Sequence, residues 1–200
     1  MARYVEILDE ESAIGNLSRY KGPLSILVGT TAAVGSSLHA KLLEKIQAYK
    51  IDGLSIHLLF VEPRVSPTPN VYLNLARLMA KTNWTLLFLS DSTRPILSGL
   101  HRAVSGLDLD ARNGPIILTT GSTLYPFPSS TAILVKRDSN LWCTERIFLN
   151  PSRDSNWDEC LWQMTLETYG TLDIVKLPST IDTSKGVEQS NTVLEVRQRI

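Results

Sequence analysis

The side chains best suited to chemistry lie directly after a predicted strand. An apolar run at 84–89 predicts a buried strand, and Asp91, Thr93 and Arg94 follow it. A carboxylate at such a position is typical of a turn, but hard oxygen ligands at a fixed edge are also what a divalent cation needs. Only Asp91 is an acid, because Thr93 stands where a second carboxylate would complete a pair. The segment therefore predicts a weakened cation site, beside an arginine able to bind phosphate oxygens.

A second pair of acids, Asp158 and Glu159, lies in the first turn of a helix predicted over 157–169. Ser155 stands three residues before Asp158, which approximates a capping box with the shorter carboxylate. Acids in a first turn also complement the helix dipole, and this is the simplest explanation of the pair. The alternative is that one carboxylate acts as a general base toward an acceptor hydroxyl. The spacing leaves both interpretations open.

The segment 29–37 lies where a phosphate-binding loop would, after a predicted strand and before a predicted helix. It has one residue too many between Gly29 and Gly35, and no lysine precedes the hydroxyl residues, so it matches neither the P-loop nor the dinucleotide motif. We interpret it as an ordinary strand-to-helix connection. Its backbone amides at the helix start could still face a ribose or a phosphate.

The two cysteines, Cys143 and Cys160, match no zinc signature, and a chain of this size needs no disulfide framework. We predict that both are free thiols in the core. The triplets at 16–18 and 83–85 fit the glycosylation sequon, but such triplets arise often by chance and the second runs straight into a predicted apolar strand, so neither fixes a compartment. Three tryptophans of the last third fit a sugar-stacking surface and a core position equally well: Trp142, Trp157 and Trp162.

Strand and helix patterns alternate through the first two thirds of the chain. Apolar runs predict strands at 22–29, 54–61, 84–89, 115–120, 132–136 and 172–177, and periodic patterns predict helices at 38–50, 70–81, 96–104 and 157–169. This order predicts an α/β domain over 1–180, with a mostly parallel central sheet flanked by helices and an irregular second half. The polar stretch 181–200 predicts a flexible tail. Ligands of open parallel sheets bind at the carboxyl ends of the strands.

Composition narrows the class of protein. The 200 residues are 43% hydrophobic, which is enough for one domain with a sizeable core. Twenty basic residues balance twenty acidic ones, and because nucleic-acid binders normally carry a basic excess, we predict no nucleic-acid partner. No apolar stretch approaches the length of about 18 residues needed to cross a bilayer, so we predict no transmembrane segment.

Several motifs together resemble glycosyltransferase family 49, the LARGE-type glucuronyltransferase domain, in a divergent and fungal-like form. The resemblance covers residues 20 to 178. The motifs that carry it are Tyr-Lys-Gly-Pro-Leu-Ser at 20–25, Pro-Asn at 69–70, Asn-Leu-Ala at 74–76, the run 81–91, Thr-Glu-Arg-Ile-Phe at 144–148, and the closing strand with Leu-Pro at 172–178.

This resemblance implies a GT-A fold, a UDP-sugar donor, manganese, a glycan acceptor and a location in the Golgi lumen. It places Asp91 and Thr93 at the Asp-x-Asp position, and Asn70 in the donor-binding region with Arg94 nearby. It also places 158–159 where inverting GT-A enzymes carry their catalytic base.

The chain departs from the family pattern at two positions, and both concern the cation. Thr93 replaces the second aspartate, and no histidine follows the last predicted strand. Two hypotheses follow: an active glycosyltransferase in which Arg94 offsets the diphosphate charge, or an inactive pseudo-glycosyltransferase that acts as a binding or scaffold module. A third is an unrelated nucleotide-binding α/β domain, whose ligand would lie at 29–37.

Overall fold

The computed structural model describes residues 2–6, 22–48, 52–62, 68–88, 100–128, 131–144, 155–168, 172–177 and 195–197. In chain order the elements are β1 (Ala2–Glu6), β2 (Leu24–Thr30), α1 (Ser37–Ala48), β3 (Leu54–Phe60), α2 (Pro69–Leu78), β4 (Trp84–Phe88), α3 (Leu100–Ser105), β5 (Ile116–Thr119), β6 (Ala132–Lys136), α4 (Asn156–Glu167), β7 (Asp173–Lys176) and β8 (Glu195–Arg197). The predicted site residues Asp91, Thr93 and Arg94 lie outside the described residues.

The first sheet is parallel and has the order β1-β2-β3. Its central strand β2 is an apolar run whose residues from Leu24 to Val28 are all buried, as the sequence predicts. Helix α2 contacts both β1 and β2. The hydroxyl of Ser25 donates a hydrogen bond to the carbonyl oxygen of Ala76 in α2 at 3.4 Å. The short turn at Asp52 and Gly53 returns the chain into β3, and Gly53 adopts φ +76°, a left-handed conformation that favours glycine.

The second sheet is mixed and has the order β4-β6-β5-β7-β8. Strand β6 is antiparallel to both β4 and β5, β8 is antiparallel to β7, and only β5 and β7 pair in parallel. The α/β class is confirmed. The sequence predicts a mostly parallel central sheet, whereas the described strands of this sheet form a mixed one. The reason lies between β5 and β6, where residues 120–128 form no helix to carry a parallel crossover, and the chain returns antiparallel.

The second sheet is buried on both faces by residues that alternate along its strands. One face packs against α2 and α4 and contributes Leu87, Ile117, Ile133 and Ile174 to the larger core cluster. The opposite face contributes Leu86, Ile116, Leu118, Leu134 and Val175 to a smaller cluster, against which Val104, Leu107 and Leu109 pack. Strand β4 is therefore held from both sides up to its last residues.

Helix α1 differs from the sequence prediction in its packing. Its start is capped as predicted, because the hydroxyl of Ser36 accepts a hydrogen bond from the backbone N–H of His39 at 3.2 Å. None of its residues is buried, however, and Leu38 of the predicted apolar stripe is 66% exposed. Strand β8 falls within the stretch 181–200, whose other residues lie outside the described part of the chain.

Candidate functional site

The carboxyl end of β4 lies beside the first turn of α4. Phe88, the last residue of β4, pairs with Ala132, the first residue of β6. The preceding residue, Thr131, accepts a hydrogen bond at 3.2 Å from the indole Nε1 of Trp157 in α4. Trp157 is only 1% exposed, so this contact is part of the core. The start of α4 is thus fixed beside the carboxyl end of β4.

The same edge collects the ends of other strands. Because β4 and β5 are both antiparallel to β6, and β7 is parallel to β5, the three strands β4, β5 and β7 run in one direction. Their carboxyl ends therefore meet at the start of β6, where Thr119 lies in register with Lys176. This arrangement reproduces the expected carboxyl edge, although the strand hydrogen-bonded to β4 there is antiparallel.

Asp158 is engaged by the helix cap that the sequence predicts. Its Oδ2 accepts hydrogen bonds from the backbone N–H and the hydroxyl of Ser155, at 3.1 and 2.5 Å. The Ser155 hydroxyl oxygen in turn accepts one from the backbone N–H of Asp158 at 3.1 Å. The capping box is confirmed. Glu159, the next residue, is half-buried at the same helix end, and the catalytic role predicted for this pair stays a prediction.

Asn70 joins three parts of the chain. It is 2% exposed, and its amide Nδ2 donates hydrogen bonds to the carbonyl oxygens of Thr144 and Asn156, each at 2.6 Å. Both amide hydrogens are therefore used by the main chain, one of them at the first residue of α4. The predicted role of Asn70 in donor binding stays a prediction. In the structure this side chain links α2 to the main chain at Thr144 and Asn156.

Two further side chains of α2 bind the segment 139–144. Asn74 pairs with the backbone of Cys143, since its Oδ1 accepts from the Cys143 N–H at 3.2 Å and its Nδ2 donates to the Cys143 carbonyl at 2.7 Å. Arg77 donates to the carbonyl oxygens of Leu141 and Ser139 at 2.6 and 3.0 Å. None of these contacts is predicted from the sequence, although the asparagines of α2 and their helical spacing are visible in it.

We call Asn70, Asn74 and Arg77 the α2 polar face. Its arginine is 0% exposed, and the guanidinium carbon lies 4.6 Å from the centre of the Trp142 ring. Burial lowers the pKa of Arg77, and the negative charge of Asp138 opposes this change. An arginine remains charged at neutral pH even so. The α2 polar face thus holds an irregular segment by main-chain hydrogen bonds rather than by apolar contact.

A disulfide joins Cys143 to Cys160 of α4, with the two Cα atoms 4.5 Å apart. The prediction of two free thiols is wrong, although both residues are buried as expected. The pairing could not be read from the sequence because it depends on the α2 polar face, which places Cys143 against α4. The backbone N–H of Thr144 also donates to Gln163 of α4 at 2.7 Å, so the segment and the helix are linked twice.

The three tryptophans do not form one stacking surface. Trp157 is a core residue, as one of the two sequence interpretations has it. The ring of Trp142 lies against Arg77, and Trp162 lies against Tyr125 with ring centres 4.9 Å apart.

The connection between β2 and α1 is closed by local turns. The backbone N–H of Ala32 donates to the hydroxyl of Thr30, and that of Ser36 donates to the carbonyl oxygen of Ala33, at 3.1 and 3.0 Å. Val34 in its middle is 82% exposed. These amides are used within the loop, which favours the ordinary connection over a phosphate-binding loop.

A pocket of about 240 Å³ lies at the amino ends of β2 and β3, lined in part by Ser25, Ser55, Lys81 and Thr82. This is the opposite end of the strands from the candidate edge. Nearby, Nε2 of His57 has no hydrogen-bond partner among the described residues. Burial, and then the positive charge of Lys81, lower the pKa of His57.

Within the described ranges, no cluster of three metal-ligating side chains is present, and no helix has the length and apolarity to cross a membrane. The fold and the candidate edge define an α/β domain in which the end of β4 meets a capped, acidic helix start. No protein-family model, curated protein or solved structure matches the chain.

Proposed function

We propose that this chain is a GT-A-like glycosyltransferase domain, which transfers a sugar from a UDP-sugar donor to a hydroxyl group of a glycan. The observation that carries the proposal is the hydrogen bond from Trp157 to Thr131 at the end of β4. It fixes the acids of α4 at the edge toward which β4 leads, and Asp91 follows the last residue of β4 by three positions. The family resemblance assigns donor and base roles to these two places.

In this proposal Asp91 and Thr93 approach the diphosphate, and Arg94 offsets its charge through paired N–H donors. One carboxylate of α4 takes the proton of the acceptor hydroxyl as its oxygen attacks the anomeric carbon. The bond from that carbon to the diphosphate oxygen breaks, and UDP leaves with the electron pair. Attack from the face opposite the leaving group inverts the anomeric centre.

Asp158 and Glu159 are not equivalent candidates for the base. The carboxylate of Asp158 already accepts two hydrogen bonds from Ser155, and the cap depends on them. Glu159 is the next residue and also lies in the first turn of α4. We therefore assign the base to Glu159 first, with Asp158 as the capping acid.

The donor set does not fit the manganese ion that the resemblance implies. A divalent cation at a diphosphate requires several hard, preferably charged oxygen ligands. At the Asp-x-Asp position the sequence offers the carboxylate of Asp91 and the neutral hydroxyl of Thr93. No step of the proposed transfer is therefore assigned to a metal.

A catalytically inactive pseudo-transferase is the second candidate function. It is favoured by the commitment of Asn70 and Asp158 to hydrogen bonds within the fold. In such a module the same edge would bind a nucleotide or a glycan without turnover.

Measurements of binding and of turnover distinguish the active transferase from the pseudo-transferase. UDP and a panel of UDP-sugars, each with and without manganese, are tested for a rise in melting temperature and for release of UDP. An active transferase should show both the rise in melting temperature and the release of UDP without manganese. The variant Asp91→Ala should lose both signals. Glu159→Gln should keep binding and lose release, while the surface variant Asp110→Ala should behave as wild type. Binding without release supports the pseudo-transferase, and an absence of both contradicts the proposed function.

A further inference from the structure

Asn83 lies in the bend between α2 and β4 and begins the triplet Asn83-Trp84-Thr85. The residue is exposed, whereas its carbonyl oxygen accepts a hydrogen bond from the backbone N–H of Arg137 at 2.7 Å. The main chain is therefore held in place while the residue faces solvent. An exposed asparagine in an Asn-x-Thr triplet on a surface bend has the chemistry of an N-glycosylation acceptor.

An independent observation concerns the compartment. The disulfide between Cys143 and Cys160 is buried in the core, where each cysteine is at most 1% exposed. Structural disulfides form and persist in oxidising compartments and are rare where cellular thiols are kept reduced. N-linked glycans are confined to secreted and lumenal proteins, so the disulfide and the sequon point to the same environment.

We propose that Asn83 carries an N-linked glycan, added as the chain enters the oxidising lumen of the secretory pathway. The co-reactant is an oligosaccharide linked to a lipid pyrophosphate, with the transfer catalysed by the host machinery. The Nδ2 atom of Asn83 forms a bond to the anomeric carbon and loses one proton. The bond from that carbon to the pyrophosphate oxygen breaks, and the lipid pyrophosphate leaves. This inference does not depend on the transferase proposal.

The structure also sets the order of events. Thr85 is 0% exposed, and its hydroxyl donates to the carbonyl oxygen of Val135 at 3.3 Å across the β4–β6 pair. The ammonium group of Lys136 lies 5.6 Å from the ring centre of Trp84. Two residues of the sequon are thus engaged in the folded sheet, so the glycan is added before β4 pairs with β6. Afterwards it extends from the exposed bend.

The test uses the full chain behind a cleavable secretory signal in a eukaryotic host. Glycosylation is scored on total translocated protein, inside and outside the cell, by the mass removed with an N-glycan amidase and by peptide mapping of the aspartate it leaves. Asn83→Gln and Thr85→Val should abolish the glycan at this site. Thr85→Ser keeps the hydroxyl and should retain it, and Asn16→Gln controls for the other sequon.

Two results would overturn the inference. The first is a translocated wild-type chain in which Asn83 is unmodified. The second is free thiol at Cys143 and Cys160 in that secreted chain, measured by alkylation under denaturing conditions. A third measurement checks the order of events: with detergent-permeabilised microsomal membranes, unglycosylated protein that has already folded should not accept a glycan, whereas the same chain reduced and unfolded should. Acceptance by the folded protein contradicts the proposed order.

Discussion

The indole Nε1 of Trp157 lies 3.2 Å from the carbonyl oxygen of Thr131, and this hydrogen bond joins the start of α4 to the start of β6. Through the pairing of Ala132 with Phe88, the same contact fixes α4 relative to the end of β4. The position of the candidate acids therefore depends in part on this buried donor, which acts together with the hydrogen bond from Asn70 to the first residue of α4.

Replacing Trp157 by phenylalanine should weaken this junction strongly. The buried carbonyl oxygen of Thr131 loses its partner, and the smaller ring leaves unfilled volume. We expect a loss in the free energy of unfolding on the order of 2–4 kcal/mol, measured by urea denaturation. Trp142→Phe is the matched control, because Trp142 is 40% exposed and a phenyl ring remains beside Arg77. Equal losses in the two variants would contradict the assigned role.

Asn74→Leu tests the α2 polar face. The leucine has a similar size but leaves the backbone N–H and carbonyl of Cys143 without partners in the core. Each such group costs about 1–3 kcal/mol, so we expect a loss in the free energy of unfolding on the order of 2–6 kcal/mol, measured by urea denaturation. The exposed Asn113 accepts a hydrogen bond from Lys136 at the surface and gives the control Asn113→Leu, expected within about 0.5 kcal/mol of wild type.

The sequence predicts the elements well wherever the pattern is local. The strand predicted at 132–136 is found at Ala132–Lys136, and the capping box of Ser155 and Asp158 is confirmed. Both follow from short-range chemistry: an apolar run between polar residues, and a serine three residues before an acid. The predicted helix at 70–81 begins at Pro69 but ends three residues early, at Leu78.

What the sequence does not predict is long-range pairing. The antiparallel direction of β6 and the disulfide depend on contacts between residues distant in the chain. Burial of Arg77 could not be foreseen either, because its partners are carbonyl groups of residues 139 and 141, which carry no sequence signal. Strand β1 was missed since five residues near an acidic terminus show too little pattern for a strand, and its place is set by pairing with β2.

Removing the disulfide should lower stability without changing the fold. Cys143 and Cys160 are 17 residues apart, and in the loop-entropy model a cross-link of this length contributes about 3 kcal/mol. We expect the variant Cys143→Ser/Cys160→Ser, or the reduced wild type, to unfold at correspondingly lower urea concentration. A reducing agent should have no effect on the double variant. Asn74 binds the main chain of residue 143, and the serine substitution leaves that main chain in place. The circular dichroism of the double variant should therefore match that of wild type.

The pH dependence of stability should contain a contribution from His57. Burial, and then the charge of Lys81, hold the pKa of His57 below its ordinary value of 6.5 in the folded protein. The unfolded chain therefore binds a proton as the pH falls through 6.5, whereas the folded chain binds it only at lower pH. The contribution is fully present above this value and is lost as the pH drops toward the folded pKa.

This contribution is measured as a difference between proteins, because other groups also titrate on unfolding. The free energy of unfolding is determined from pH 8, where the histidine of the unfolded chain is neutral, down to the acid limit of folding. His57→Asn should lose less stability on acidification than wild type does. Lys81→Met removes only the smaller cause, so it should fall between the two. Parallel curves for wild type and His57→Asn would show that His57 is protonated equally in both states. They would also show that its Nε2, which has no hydrogen-bond partner in the described part of the chain, is accessible to a proton in the folded protein.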